Sequence, residues 1–274
     1  MSEDRVRLSH EGPIAIITND NPAKHNAFDD AMDLRLFEIL AEIRNDPRTR
    51  AVIWRAEGKS FSSGRDVSQI GRLQLEMSHH QLMTRGHRGI QQIFDLDVPI
   101  FVAHQGWSIG GTFQRALLCD VRIAAEGARF MLPELGHGVI ADTGGVAVLF
   151  QMCGHGVVSD MVLTGRPLSA EEALRYGVVS RVVPADQLDA TVLEMAQKVA
   201  AIAPISVKLA RRVIRNLHEP AIRTSMHDEL LMQTVINKSE DFGELKKARE
   251  ESREASFPGV WVAPPRPRDP RERS

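Results

Sequence analysis

VPIFVAHQGWSIGGTFQRALLCDVRIAA, residues 98–125, is the stretch on which the fold turns. VPIFVAHQG (98–106) is a short apolar run with β-branched residues and reads as a buried strand. SIGGTFQRALLCD (108–120) reads as a tight turn feeding a helix, and VRIAA (121–125) returns as a second strand. A strand, a helix and a strand in so short a span make a crossover unit, which joins parallel strands.

Upstream, VRLSH (5–9) and IAIIT (14–18) flank Gly12-Pro13, a turn dipeptide, and read as a hairpin. The polar loop 19–30 follows, and Asp29 or Asp30 caps a helix through about Asn45, with Met32, Leu36, Leu40 and Ile43 at helical spacing. AVIWRA (51–56) is another buried strand, GKSFSSGRD (58–66) a small-residue segment, and a second helix spans roughly 79–96. Downstream of about 186 the strand signals vanish. Helices are expected at 190–202, 206–217 and 221–253, punctuated by Pro204 and Pro220. The predicted class is α/β: a core over 1–185, a helical part over 186–257 and a Pro/Arg-rich tail over 258–274.

Composition narrows the function. Of 274 residues, 43% are hydrophobic and 26% charged, which is globular rather than disordered. Thirty-four Lys and Arg against 36 Asp and Glu give a net charge of −2, too balanced for a dedicated nucleic-acid binder. Two cysteines, Cys119 and Cys153, suit a reducing compartment rather than a disulfide scaffold. The charged N-terminus lacks a signal-peptide core, and no apolar run approaches the roughly 18–20 residues of a membrane span. A cytoplasmic protein without membrane attachment is expected.

Two segments bring small residues to points where backbone N–H groups are free. One is Phe61-Ser62-Ser63-Gly64-Arg65-Asp66, after a strand; the other is Ile109-Gly110-Gly111-Thr112, which opens a helix. A helix start presents unpaired donors and the positive end of its dipole. Two donors from separate loops can converge on one carbonyl oxygen as an oxyanion hole, although each segment also reads as a plain tight turn. No phosphate-loop or dinucleotide glycine pattern is present.

The chain resembles the crotonase superfamily, the enoyl-CoA hydratase/isomerase family, over about residues 5–255. The matching words are Asn26-Ala27, FSSGRD (61–66), GWSIGGTFQRALLCDVRIAAEGARFMLPELGHGVIADTGG (106–145) and MVLTGRPLSAEEALRYGVVSRVV (161–183). The resemblance implies a crotonase-like spiral of ββα units with a helical C-terminal extension that packs on a neighbour in a homotrimer or dimer of trimers. It implies an acyl-CoA thioester substrate, with coenzyme A part of the substrate and no separate cofactor. The thioester oxygen would accept from the backbone N–H groups of Arg65 and Gly111. Ser63, Gly64, Asp66 and Gly110 beside them, and His137 and Arg253 further on, are the expected substrate-binding residues.

Carboxylates decide the reaction. The resemblance places one catalytic glutamate at Glu134, whereas the position where hydratases carry a second glutamate holds Gln114. An amide orients groups but exchanges no proton near neutrality. Asp142, in ADTGG (141–145), stands where isomerising members of the family carry a catalytic acid. Glu134 and Asp142 are therefore the expected proton-transfer pair of a double-bond isomerase, with burial and mutual repulsion separating their roles. Asp142 also reads as an N-cap for a helix at about 144–153. The alternatives are a hydratase using Glu134 with a water held by Gln114, a dehalogenase with Asp142 as nucleophile, and a catalytically silent acyl-CoA binder.

The remaining residues carry less. His79, His80 and His87 show no metal-type pattern, so no metal is expected. Cys119 reads as a buried apolar residue. Lys246, Lys247, Arg249 and Arg253 form a basic stretch suited to the nucleotide end of coenzyme A, and segment 67–95 is expected to border the acyl pocket.

Overall fold

β4 (Ile100–His104) and β6 (Val121–Ala125) pair in parallel, with Phe101 opposite Val121, so the crossover read from residues 98–125 is present. The computed structural model describes residues 5–69 and 78–260. One detail differs from expectation. The chain turns at Gly106, with φ 53°, and Trp107–Ile109 forms a separate short strand, β5, before α3 (Gly110–Leu117). A side chain at 106 would collide with the Lys59 carbonyl, so the sharp exit from β4 depends on glycine.

The main sheet runs β1 (Val6–Glu11), β2 (Ile14–Asn19), β3 (Ala51–Ala56), β4, β6 and β9 (Arg181–Val183). Only β1 and β2, the expected hairpin, are antiparallel. β5 lies in a second sheet with β7 (Arg129–Met131) and β8 (Leu168–Ser169). The step from β4 to β5 carries the chain from one sheet to the other, and α3 starts there.

Alternation along β3 divides the core. Val52 and Trp54 join Met32, Leu36 and Leu40 of α1 (Asp30–Asn45), with Phe61, Phe113 and Phe130. Ala51 and Ile53 join Ile14, Phe101 and Ile123 against Leu188, Val192 and Ala196 of α6 (Leu188–Ala200). Each such large side chain contributes about 1.5–3 kcal/mol on burial. The Trp54 ring nitrogen is satisfied by donating to Asn19 Oδ1 at 2.9 Å. α6 therefore belongs to the core it packs on, although it follows the expected boundary at 185.

Caps fix the helix starts. Asp29, not Asp30, caps α1 by accepting from the Met32 N–H at 3.0 Å. Ser78 and Gln81 form a capping box on α2 (His79–Asp95). α4 (Gly145–Thr164) begins instead at Gly144, with φ 79° and no side-chain cap, so Asp142 does not fill the capping role. α4 has 20 residues and a mean hydropathy of 1.5, long and apolar enough by length and composition to cross a membrane. That corrects the expectation that no such segment exists: scattered polar residues hid the stretch. It breaks at Gly154 and packs on α3 and on α7 (Pro204–Ile236).

The helical part also departs from expectation. α6 and α7 start two residues early, and α7 runs through Pro220 to Ile236, after which Ser239 caps α8 (Glu240–Glu250). An interior proline costs a helix about 3 kcal/mol or more. Anchors on both sides of Pro220 offset it. Before it, Arg211 and Arg215 donate to the carbonyls of Leu96 and Phe94, and Arg211 pairs with Asp120 at 2.8 Å. After it, Ile222, Met226, Glu229 and Gln233 are buried. The tail from 261 to 274 lies outside the described residues.

Candidate active site

The loop after β2 is locked by Asn26, a buried residue with φ 56°. Its Nδ2 donates to the carbonyls of Glu57 and Ser60, each at 2.8 Å, and its Oδ1 accepts from the Asn21 N–H. That holds Phe28 against the small-residue loop, where Phe28 N–H donates to Gly64 O and Asp66 N–H to Phe28 O. In such a parallel bridge the Arg65 N–H points away from the partner segment. The same loop runs beside β5, with Ser62 paired to Ser108. A Cβ on Gly64, where φ is 89°, would lie 3.0 Å from the Ile109 carbonyl. Gly111, second residue of α3, has one of the N–H groups that a helix start leaves unpaired.

Arg65 and Gly111 line one cavity of about 220 Å³ together with Gln114, Glu134 and Asp142. Glu134 opens the short 3-10 turn Glu134–His137 that follows β7. Its Oε1 accepts from Gln114 Nε2 at 2.7 Å, while Oε2 is buried without a partner. Burial pushes its carboxyl up to about 7. Asp142 precedes the turn into α4, and burial pushes its carboxyl up to about 7, helped by the carboxyls of Glu229 and Glu134. Two acids with matched, near-neutral pKa values can exist as one acid and one base in the same cavity.

Gln114 ties the two acid-bearing segments together. Its Oε1 accepts from Thr143 N–H at 3.1 Å and Thr143 Oγ1 at 3.0 Å while its Nε2 donates to Glu134. Both oxygen lone pairs are thus used, and a single amide hydrogen is left to orient anything else.

The other expected site residues stand elsewhere. Gly110, with φ 57°, sits against Glu134: a Cβ there would come within 3.3 Å of Oε1. Ser63 donates from Oγ to the Lys24 carbonyl, and neither it nor Gly64 nor Asp66 lines the cavity. Asp66 pairs with Lys24 Nζ at 2.8 Å, which helps pull its carboxyl down to about 2. His137 Nδ1 lies 2.9 Å from Arg249 Nη2, and Arg253 pairs with Glu244 and Glu251; neither reaches the cavity. Burial pushes the Cys119 thiol up to about 12. Among the described residues, no three His, Cys, Asp or Glu side chains are placed to hold a metal ion.

Several cavity residues escaped the sequence reading. The Arg65 side chain reaches Asp30 and Asp33, with Arg115 on Asp33 and Arg85 on Asp30. In the sequence Asp30 reads only as a cap candidate for α1, and Asp33 carries no signal; both stand in its first turn. From α2, His87 also lines the cavity; residues 70–77 of the segment expected to border the acyl pocket lie outside the described residues. From the C-terminal helices, Gln233 and Phe242 line it, and Glu229 accepts from Gly144 N–H at 2.8 Å. The helical spacing of α7 offered no hint of that inward role.

Comparison with known proteins gives the family. The family model described as enoyl-CoA hydratase/isomerase matches residues 9–259. A carnitinyl-CoA dehydratase of Salmonella enteritidis PT4 is 38% identical over 220 residues, 80% of this chain and 83% of the relative. The crystal structure of an enoyl-CoA hydratase/isomerase from Pseudoalteromonas atlantica T6c superposes with a TM-score of 0.83 at 29% identity, covering 92% of this chain and 99% of that one. One from Xanthobacter autotrophicus Py2 gives 0.80 at 26%, over 90% and 93%. The family model, the relative and the superposed structures agree: this chain is a crotonase-fold enzyme of the enoyl-CoA hydratase/isomerase family.

Proposed function

We propose that the enzyme moves a double bond along the acyl chain of a coenzyme A thioester by relaying a proton between two carbons. The observation that carries the reading is the placing of Glu134 and Asp142, both raised to about 7, in one cavity with Arg65 and Gly111. The thioester oxygen accepts from the Arg65 and Gly111 amides. As an ionised carboxylate takes a proton from one carbon, charge passes to that oxygen, where the amides stabilise it more than they stabilise the ground state. The protonated partner returns a proton to a different carbon, and the double bond has shifted. Losing one such amide typically costs about 2.7–4 kcal/mol of transition-state stabilisation. Gln114 holds the geometry and carries no proton. Coenzyme A arrives as part of the substrate, and the chemistry asks for no further cofactor.

A second reading is favoured by the relatives named carnitinyl-CoA dehydratase. The same pair then eliminates water: one carboxylate removes the proton beside the thioester carbonyl, and the other acid protonates the departing hydroxyl. Incubation in D2O with a 3-enoyl-CoA, a 2-enoyl-CoA and a 3-hydroxyacyl-CoA separates the readings. Isomerisation predicts conversion of 3-enoyl to 2-enoyl thioester with deuterium incorporation. Rapid interconversion of hydroxyacyl and 2-enoyl thioesters, with the 3-enoyl compound inert, overturns isomerisation in favour of dehydration.

For assembly, the reading is a trimer or a dimer of trimers. Exposed apolar residues on α7, including Ile205, Val213, Ile214 and Leu217, support it, since a second copy would bury them. Light scattering of the purified chain tests it.

A further inference from the structure

The acids and amides account for one part of the cavity and leave another part unexplained. Asp30, Asp33, Arg65, Arg85 and Arg115 all line it. Arg65 pairs with Asp30 and, at 2.5 Å, with Asp33; Arg115 holds the other Asp33 oxygen at 2.6 Å. Arg85 reaches the remaining Asp30 oxygen at 3.4 Å. Three guanidiniums thus share two carboxylates, and every carboxylate oxygen is taken. Among the described residues this wall carries one surplus positive charge. The Arg65 guanidinium registers the crowding: burial first and Arg115 next push it down to about 10. Glu134 and Asp142, raised to about 7, are mostly protonated at pH 6 and do not cancel the excess there.

Arg85 holds its partner at the longest distance of the four pairs and is the most exposed of the three arginines, at 36% for its side chain. Two residues along α2, His87 is only 6% exposed, and its Nε2 is buried without a partner. Arg115 Nε is buried and unpartnered as well. An acyl chain ending in a methyl group would leave the surplus charge of this wall unanswered. A trimethylammonium group would add a fourth cation. A carboxylate is planar, accepts two parallel hydrogen bonds from a guanidinium fork, and neutralises the surplus.

The geometry points to acyl-CoA thioesters whose acyl chain itself carries a carboxylate as the substrate class of this cavity, with Arg85 as the residue that binds that group. The inference rests on the thioester reading above and deepens it. Arg85 belongs to the wall that selects the substrate, whereas Glu134 and Asp142 do the proton work.

Binding of unreactive saturated thioesters tests this at pH 6 by calorimetry, with glutaryl-CoA, valeryl-CoA and 4-(trimethylammonio)butyryl-CoA as probes. Glutaryl-CoA is expected to bind at least about tenfold tighter than valeryl-CoA, equivalent to about 1.4 kcal/mol, with the cationic thioester weakest. Arg85→Gln should erase the glutaryl preference over valeryl-CoA, and Arg85→Lys should restore part of it. Equal or tighter binding of valeryl-CoA or of the cationic thioester overturns the inference, as does a preference that survives Arg85→Gln. Turnover of enoyl thioesters is measured separately. A ranking without turnover sinks the proton-relay reading alone, and turnover without the ranking sinks this inference alone.

Discussion

Gln114 donates from its side-chain nitrogen to Glu134 Oε1 at 2.7 Å, from a position fully buried in the first turns of α3. The amide fixes one carboxyl oxygen and leaves the other, Oε2, without a partner. It also braces Thr143, next to Asp142. Gln114→Leu should therefore lower kcat at least about tenfold while KM changes little. Three hydrogen bonds vanish, and the buried groups left unsatisfied cost about 1–3 kcal/mol of stability each at most. Steady-state kinetics and urea unfolding of the one variant measure both.

Glu134→Gln and Asp142→Asn keep shape and remove the exchangeable proton. Each should reduce kcat by about 10²–10⁴, the usual contribution of a positioned acid or base, with the melting temperature held or raised. Retention of full activity by either variant would remove that residue from the relay.

Stability should carry a pH signature. Both carboxyls titrate at about 7 in the folded chain and near 4 when unfolded, as free carboxyls do. Between about pH 4 and 7 the folded chain keeps protons that the unfolded chain has released, so their stabilisation is complete below that window and is lost as pH rises through it. Urea unfolding from pH 5 to 8 should show the wild type losing ground to a Glu134→Gln/Asp142→Asn double variant. Asp66 behaves oppositely: its carboxyl is pulled down to about 2 by Lys24 and Ser68, so its contribution fades only in stronger acid.

Gly64→Ala tests whether the two loops must touch. Position 64 has φ 89°, and its Cβ would press on the Ile109 carbonyl at 3.0 Å. Left-handed strain of about 1–3 kcal/mol combines with separation of the segments that carry the Arg65 and Gly111 amides. Loss of kcat should exceed the loss of stability when both are expressed as free energies.

Arg122 predicts a fold defect away from the cavity. Buried beneath the end of α3, it donates from Nε to the Val178 carbonyl at 2.6 Å and from Nη1 to the Cys119 carbonyl at 2.7 Å. Arg122→Met strands both acceptors and should cost about 3 kcal/mol or more, read as a shifted urea midpoint.

Local signals in the sequence were enough for the strands around residues 98–125, for α1 with its acidic cap, and for the glycine turns at 64 and 110. Glu134 and Asp142 came with the family resemblance, and the structure brings both into one cavity. What escaped was everything set by distant packing. Pro220 reads as a break because the anchors that override it, Ile93, Phe94 and Leu96, lie more than a hundred residues away. The Asp30–Arg65–Asp33–Arg115 network joins a loop to two helices, and none of its members shows a telling spacing. Glu229 likewise sits on a helix whose pattern speaks only of amphipathy.

The hydrogen bond from Gly144 to Glu229 spans 85 residues, and Gln233 takes the Ile140 N–H in the same way. A polypeptide emerging from the ribosome therefore exposes its paired acids well before the ceiling that confines them exists. Premature termination before position 229 would release a chain holding each reagent without the residues that roof them.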